Sequence, residues 1–152
     1  MPVELRARFG GMSERLREMA NEAGLPMVIP ERIPSSRRAL EAAEFARKHD
    51  RHGRFHRIVF RKFYGEGQDL HAWSVLRAAA EEADLDPVAM EEETQAGIYA
   101  ETVDTVSNQA KALGISAVPA YVLGQRFAIM GVQPFEVFQQ TMLRLTGDRD
   151  RL

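Results

Sequence analysis

The sequence contains no cysteine among its 152 residues. That absence excludes a disulfide, a thiolate metal ligand and a catalytic thiol within these residues. It carries no information about the cellular compartment, because a chain without thiols is under no redox constraint. Any chemistry of this chain must therefore rest on other groups.

The sequence also lacks an excess of charge of one sign and a long apolar run. Twenty Lys and Arg residues stand against 22 Asp and Glu residues, for a formal charge of −2. This balance creates no global field for nucleic acid or anionic lipid, so we expect no nucleic-acid partner and no membrane partner. No segment reaches the roughly 18 apolar residues of a spanning helix, and residues 1–5 show no secretory pattern. We expect a soluble, cytoplasmic protein.

Hydrophobic residues make up 45% of the chain, enough for a single domain over residues 1–152. From about residue 13 to 113 the apolar residues recur at spacings of three and four, which predicts a helical portion. Caps and breakers divide this portion into helices over roughly 13–23, 36–48, 55–64, 69–83, 87–93 and 99–113.

After Gly114 the period changes, and residues 114–147 are predicted to form a ββα portion. Two apolar runs of about four residues flank a turn that contains Gly124, a pattern typical of a β-hairpin. Pro119 stands at the start of the first strand, one of the few strand positions that tolerate proline. The Val118–Pro119 bond is therefore a candidate cis peptide.

A family resemblance rests on motifs spread along nearly the whole chain: Phe9-Gly10-Gly11, Gly24-Leu25-Pro26, Ile33-Pro34, residues 113–119 and Gly131-Val132-Gln133-Pro134. This order resembles the DsbA-like thioredoxin-fold oxidoreductases, particularly their cytoplasmic branch related to polyketide-biosynthesis oxidoreductases. The resemblance implies an α/β, thioredoxin-like fold of the DsbA type, with a large helical insertion and a C-terminal β-hairpin and helix. It also implies a cis Pro119 beside the place where the family carries its active-site thiols.

The chain departs from the family pattern at its N-terminal side. Family members begin with a strand, a Cys-x-x-Cys turn, a helix and a second strand, whereas this sequence starts where that unit would end. We therefore expect an N-terminally truncated domain without the βαβ unit. The chain would then be a short natural homologue, a truncated gene product, or one that acts with a second chain that supplies the missing half.

The resemblance implies a substrate-binding loop at Ala117, Val118 and Pro119, and it implies no catalytic residue, cofactor or metal. The expected function is that of a DsbA-family homologue without redox cysteines that binds a peptide, a thiol compound or a protein. The alternatives are a glutathione-linked isomerase or transferase of the kappa or hydroxychromene-carboxylate isomerase type, which shares the cis-proline motif, and a non-catalytic interaction protein.

In a thioredoxin-like sheet the strand after the cis-proline pairs with the first strand. Without that strand, residues 120–123 would have an unpaired apolar edge, which proteins do not normally leave in water. We expect a homo-oligomer or a partner chain to cover this edge.

Histidines and basic residues offer weaker candidates. His52 and His56 lie four residues apart and could share a metal on a helix, but no Glu accompanies them and Gly53 lies between, so surface histidines are the favoured interpretation. His49 and His71 are interpreted in the same way.

The basic stretch 47–62 is interpreted as a solvated helix face whose charges pair with acidic residues. Its phenylalanines recur at the helical spacing of the buried residues, so they are not free to stack on bases. The acids in question are Glu81, Glu82 and residues 91–93.

Near the loop, Ser116 and Tyr121 carry the available hydroxyl groups. Ser116 is interpreted as loop structure rather than as a catalytic group. Arg126 and Gln133 could contact a ligand, although hairpin and cap positions are polar by default.

Overall fold

The computed structural model describes residues 14–28, 35–116 and 118–147. The chain divides into two compact units, Met1–Val103 and Asp104–Leu152. The elements are α1 over 14–22, α2 (Arg37–Lys48), α3 (His52–Phe60), a π-helical turn (Arg61–Gly65), α4 (Trp73–Glu82), α5 (Pro87–Gln95), α6 (Ala100–Ala112), β1 (Ala120–Leu123), β2 (Phe127–Met130) and α7 (Phe135–Gly147). The expectation of one domain stays a prediction.

The core of the first unit lies among α2, α3, α4 and α5. Helix α2 packs on the other three, and α4 packs on α3 and α5. The small side chains of Ala42 and Ala46 are fully buried on α2, which lets the neighbouring helices approach closely. The largest fully buried side chains are Phe45, Phe55, Leu76 and Met90.

The start of α5 follows directly from its sequence. The Asp86 side chain accepts hydrogen bonds from the backbone N–H groups of Val88 at 2.9 Å and Ala89 at 3.1 Å. Pro87 occupies the first helical position, where its missing N–H costs nothing. The predicted cap is confirmed.

Two helix starts differ from the predictions. Helix α3 begins at His52 rather than near Phe55, because the Phe55 N–H already bonds to the Arg51 carbonyl at 2.9 Å. Helix α4 begins at Trp73 rather than near Asp69. The Asp69 carboxylate accepts a hydrogen bond of 2.8 Å from the His71 N–H, which forms a local turn before the helix. The segment 9–11, the cap Ser13, the Ile33–Pro34 pair and the tail 148–152 lie outside the described residues.

In the second unit, β1 and β2 form an antiparallel pair with Ala120 opposite Met130 and Leu123 opposite Phe127. The turn residues Gly124 and Gln125 have φ of 56° and 57°. The register leaves the three residues 124–126 in the turn, and two left-handed residues in succession match the twist of the flanking hairpin strands. The predicted hairpin is confirmed.

Helix α7 packs beside this hairpin. The rings of Tyr121 and Phe138 meet edge to face with centroids 5.0 Å apart. A Cβ on Gly124 would lie 2.6 Å from Leu145 Cδ1, so the turn passes close to α7 and favours glycine there.

Candidate functional site

The loop before β1 begins where α6 ends. Gly114 has φ of 73° and donates its N–H to the Lys111 carbonyl at 2.9 Å, while the Ile115 N–H bonds to Ala110 at 3.0 Å. This left-handed cap turns the chain out of the helix. The Val118–Pro119 bond that follows is cis, the isomer expected from the sequence. Ala117, the third predicted loop residue, lies outside the described residues.

Pro119 is hydrogen-bonded to the hairpin, whereas Val118 has no such bond among the described residues. The Gly131 N–H donates to the Pro119 carbonyl at 2.8 Å, which extends the strand pairing by one residue. The Val118 side chain is 88% exposed. Among the described residues, none hydrogen-bonds to the Val118 backbone. The loop therefore presents an apolar side chain with open backbone groups beside a fixed hairpin.

The predicted polar residues surround the hairpin in different ways. The Gln133 amide donates to the Met130 carbonyl at 2.9 Å, and the Ser116 hydroxyl contacts the Met130 sulfur at 3.8 Å. Arg126 places its guanidinium over the Phe127 ring, 5.8 Å from the centroid. These contacts support the hairpin ends, and within the described part of the chain they bring no two hydroxyl or basic groups together for acid–base catalysis.

The second unit leaves much apolar surface open. Of its described hydrophobic residues, Ile129 is the buried one, and neither α6 nor α7 has a buried residue. Within the described residues the sheet has two strands, so the outer edge of β1 has no strand beside it. The large apolar side chains that stay exposed include Val118, Tyr121, Val122, Val132, Phe135 and Leu143. Large apolar side chains that stay exposed together commonly mark an interaction surface.

The histidine pair lies on α3, and each of its two rings contacts a further side chain. The His52 and His56 rings have centroids 5.7 Å apart, but His52 contacts an Arg47 nitrogen at 3.0 Å and His56 stacks on Phe60 at 4.4 Å. Partial burial, with the charges of Arg47 and His56, lowers the pKa of His52 below its usual 6.5. Within the described parts of the chain, no cluster of three or more His, Cys, Asp or Glu residues could hold a metal ion.

Most basic side chains of the stretch 47–62 pair with acids, as predicted. Lys48 contacts Glu93 at 3.0 Å, and Arg61 contacts Glu82 at 2.6 Å. The prediction was wrong for one phenylalanine. Phe55 is fully buried, but Phe60 is 51% exposed, because it lies five positions after Phe55 and therefore outside the buried stripe of α3.

The acidic residues do not form a dry acid–base pair. Glu93 accepts a hydrogen bond from the Tyr99 hydroxyl and a second from Lys48, and these bonds lower the pKa of Glu93 below its ordinary 4.5. The hydrogen bond from Arg61 lowers the pKa of Glu82 in the same direction. Both carboxylates are therefore held ionised as ion-pair partners.

One feature of the first unit is not evident from the sequence, an apolar cleft between residues 16–27 and 57–65. Its walls come from a helix, an extended segment and a π-helical turn that are distant in sequence. Helical periodicity predicts which face of one helix is buried, but it cannot predict a cleft that forms where separate segments meet.

The sequence of the chain matches a known protein family. The family model of the DSBA-like thioredoxin domain matches residues 1–143 of the chain. The chain belongs to the DsbA-like family. Its fold is the thioredoxin-like DsbA type, mostly helical with a small antiparallel hairpin in the described residues, which confirms the predicted fold class.

A solved structure supports the same fold. The crystal structure of a probable DsbA oxidoreductase from Streptomyces coelicolor matches with a TM-score of 0.81 and 24% identity, over 94% of this chain and 65% of that one. This chain thus spans about two thirds of the length of the DsbA-like structure that it matches. No curated protein matches the sequence significantly. Across residues 14–28, 35–116 and 118–147, no helix combines the length and apolar character needed to span a bilayer.

Proposed function

We propose that this chain is a DsbA-family homologue that binds an extended polypeptide at the Val118–Pro119 loop and performs no disulfide exchange by itself. The observation that carries the proposal is the absence of cysteine from a chain of this family. Disulfide exchange starts with the attack of a thiolate on a disulfide sulfur, and these 152 residues supply no thiolate.

The geometry of the loop supports polypeptide binding. Val118 is 88% exposed, and its backbone N–H and carbonyl have no hydrogen-bond partner among the described residues. An extended peptide satisfies such groups by pairing its own backbone with them, while its side chains contact apolar neighbours. Tyr121 and Val122 offer exposed apolar contacts on β1, one and two residues into the strand.

The test measures binding of a labelled, reduced and alkylated insulin B chain by fluorescence anisotropy. We expect saturable binding that Val118→Lys weakens at least about fivefold, because a charged side chain replaces an apolar contact. Val106→Lys is the matched control, since Val106 is also exposed, at 58%, but lies on α6. Equal loss in both variants, or no loss in Val118→Lys, would contradict the proposal.

A glutathione titration separates this proposal from the rival glutathione-linked isomerase or transferase. We expect no heat of binding when reduced glutathione is titrated into the chain at millimolar concentration. Saturable glutathione binding that competes with the labelled B chain would favour the rival function at the same loop.

A further inference from the structure

An apolar cleft of about 460 Å³ opens in the first unit. It lies between α1, the extended segment that follows α1, and the junction of α3 with the π-helical turn. We call it the α1–α3 cleft and define it by Leu16, Ala20, Leu25, Arg57, Phe60 and Tyr64. Its volume falls within the roughly 300–1,000 Å³ that is usual for small-molecule sites.

The walls of the cleft are apolar and open to solvent. Leu25 is 61% exposed, Phe60 is 51% exposed and Tyr64 is 41% exposed. Phe60 sits between two other rings, with centroids 4.4 Å from His56 and 5.7 Å from Tyr64. Large side chains grouped around a concave surface in this way favour an apolar ligand.

Backbone contacts hold the cleft in shape. The Val28 N–H donates to the Tyr64 carbonyl at 2.6 Å and fastens the extended segment to the π-helical turn. The Pro26 ring packs on Gly65, where an added Cβ would stand 3.6 Å from Pro26 Cγ. Such π-helical turns often occur at functional sites. The cleft is therefore preformed.

The charged side chains at the edge of the cleft indicate which polar group a bound ligand would carry. Arg61 is neutralised, because it contacts Glu66 at 2.9 Å and Glu82 at 2.6 Å. Arg57 has no acidic partner within the described residues. Its guanidinium rests over the open backbone of Gly53, with Nη1 3.8 Å from the place of a Gly53 Cβ. Arg57 also lines the cleft, so a cation without an acidic partner among the described residues forms part of its wall.

We propose that the α1–α3 cleft binds a small amphipathic carboxylate of the medium-chain fatty acid type. The apolar chain lies against Leu16, Leu25 and Phe60, and the carboxylate pairs with Arg57. An anion adds a charge-assisted hydrogen bond to the Arg57 guanidinium, which an uncharged apolar molecule cannot do. This site is separate in residues and in chemistry from the Val118–Pro119 loop.

The test is isothermal titration calorimetry with decanoate below its micelle concentration and with decanol as the uncharged analogue. We expect one decanoate per chain and binding of decanol at least about fivefold weaker. Ala20→Phe places a ring in the cleft and should abolish decanoate binding. Retained binding in Ala20→Phe, with an unchanged circular dichroism spectrum, would place the ligand elsewhere and overturn the proposal.

The charge is tested by Arg57→Gln against Arg54→Gln. Arg54 lies one turn earlier on α3, does not line the cleft and is already paired with Asp84. We expect at least about fivefold weaker decanoate binding in Arg57→Gln and unchanged binding in Arg54→Gln. Equal affinities of the two variants, equal affinities for decanoate and decanol, or no decanoate binding at all would each overturn the proposal.

Discussion

The backbone N–H of Gly131 donates a hydrogen bond of 2.8 Å to the carbonyl of Pro119. This bond continues the pairing of Ala120 with Met130, so Pro119 is the last residue that the hairpin holds on this side. Gly131 adopts φ of 74°, which an L side chain rarely tolerates. Val118 consequently stands just outside a fixed structure, with its side chain exposed.

The purified chain is expected to reduce insulin no faster than buffer in the presence of dithiothreitol. The reason is chemical, because no sulfur nucleophile exists in the sequence. The aggregation of reduced insulin is followed by turbidity, with an active thioredoxin as the positive control. Acceleration proportional to the concentration of this chain, and retained after a second purification, would contradict the prediction.

The chain is expected to form a homo-oligomer that covers the open edge of β1. Val122 is 53% exposed on a strand with no second neighbour among the described residues, and such edges pair readily. Val122→Lys should shift the sedimentation velocity profile to monomer at micromolar concentration, because an edge lysine opposes strand pairing.

The control for assembly is Val88→Lys, at a position that is 58% exposed on α5. Its sedimentation profile should match that of the unmodified chain. A monomeric unmodified chain would rule out the homo-oligomer and leave a different partner chain as the proposal for the β1 edge.

Phe55→Ala is expected to destabilise the chain by about 3–5 kcal/mol, since a fully buried ring is removed and a cavity remains. Phe60→Ala on the same helix should cost less than about 1 kcal/mol, because Phe60 is 51% exposed. Urea unfolding followed by circular dichroism measures both values. Equal losses would mean that Phe60 is covered in solution, for example by an association of chains.

Acid is expected to destabilise the first unit partly through Glu93. Hydrogen bonds from Tyr99 and Lys48 lower the folded-state pKa of Glu93 below its ordinary 4.5. A lowered carboxyl pKa contributes stability that is complete above the unfolded-state value and is lost as the pH falls through the folded-state value. Melting temperatures recorded from pH 7 to pH 3 should therefore fall less steeply in Glu93→Gln than in the unmodified chain.

Glu92→Gln is the control for the pH experiment, because Glu92 is the exposed neighbour on α5. Its melting temperature should follow the unmodified chain across the whole range. Identical slopes in all three proteins would show that Glu93 does not contribute to the acid transition.

Much of the local structure was predictable because its causes are local. Asp86 and Pro87 specify the start of α5 through bonds to the next two residues, and Gly124 permits the left-handed turn of the hairpin. The family resemblance also predicted a binding loop at Val118 and Pro119, and that role stays a prediction. The acid partners of the basic stretch were predicted only as a group, since the choice of Glu93 for Lys48 depends on how α2 meets α5.

By itself, the sequence determined the positions of the helices, the hairpin, the loop at Pro119 and the lack of a thiol. Each of these depends on residue type and on short-range spacing. The tertiary structure decided which side chains remain open. The α1–α3 cleft exists because α1 and the extended segment meet the C-terminal end of α3. The physical reason is that burial and concave surfaces arise from contacts between segments distant in the chain, and periodicity within one segment cannot specify them.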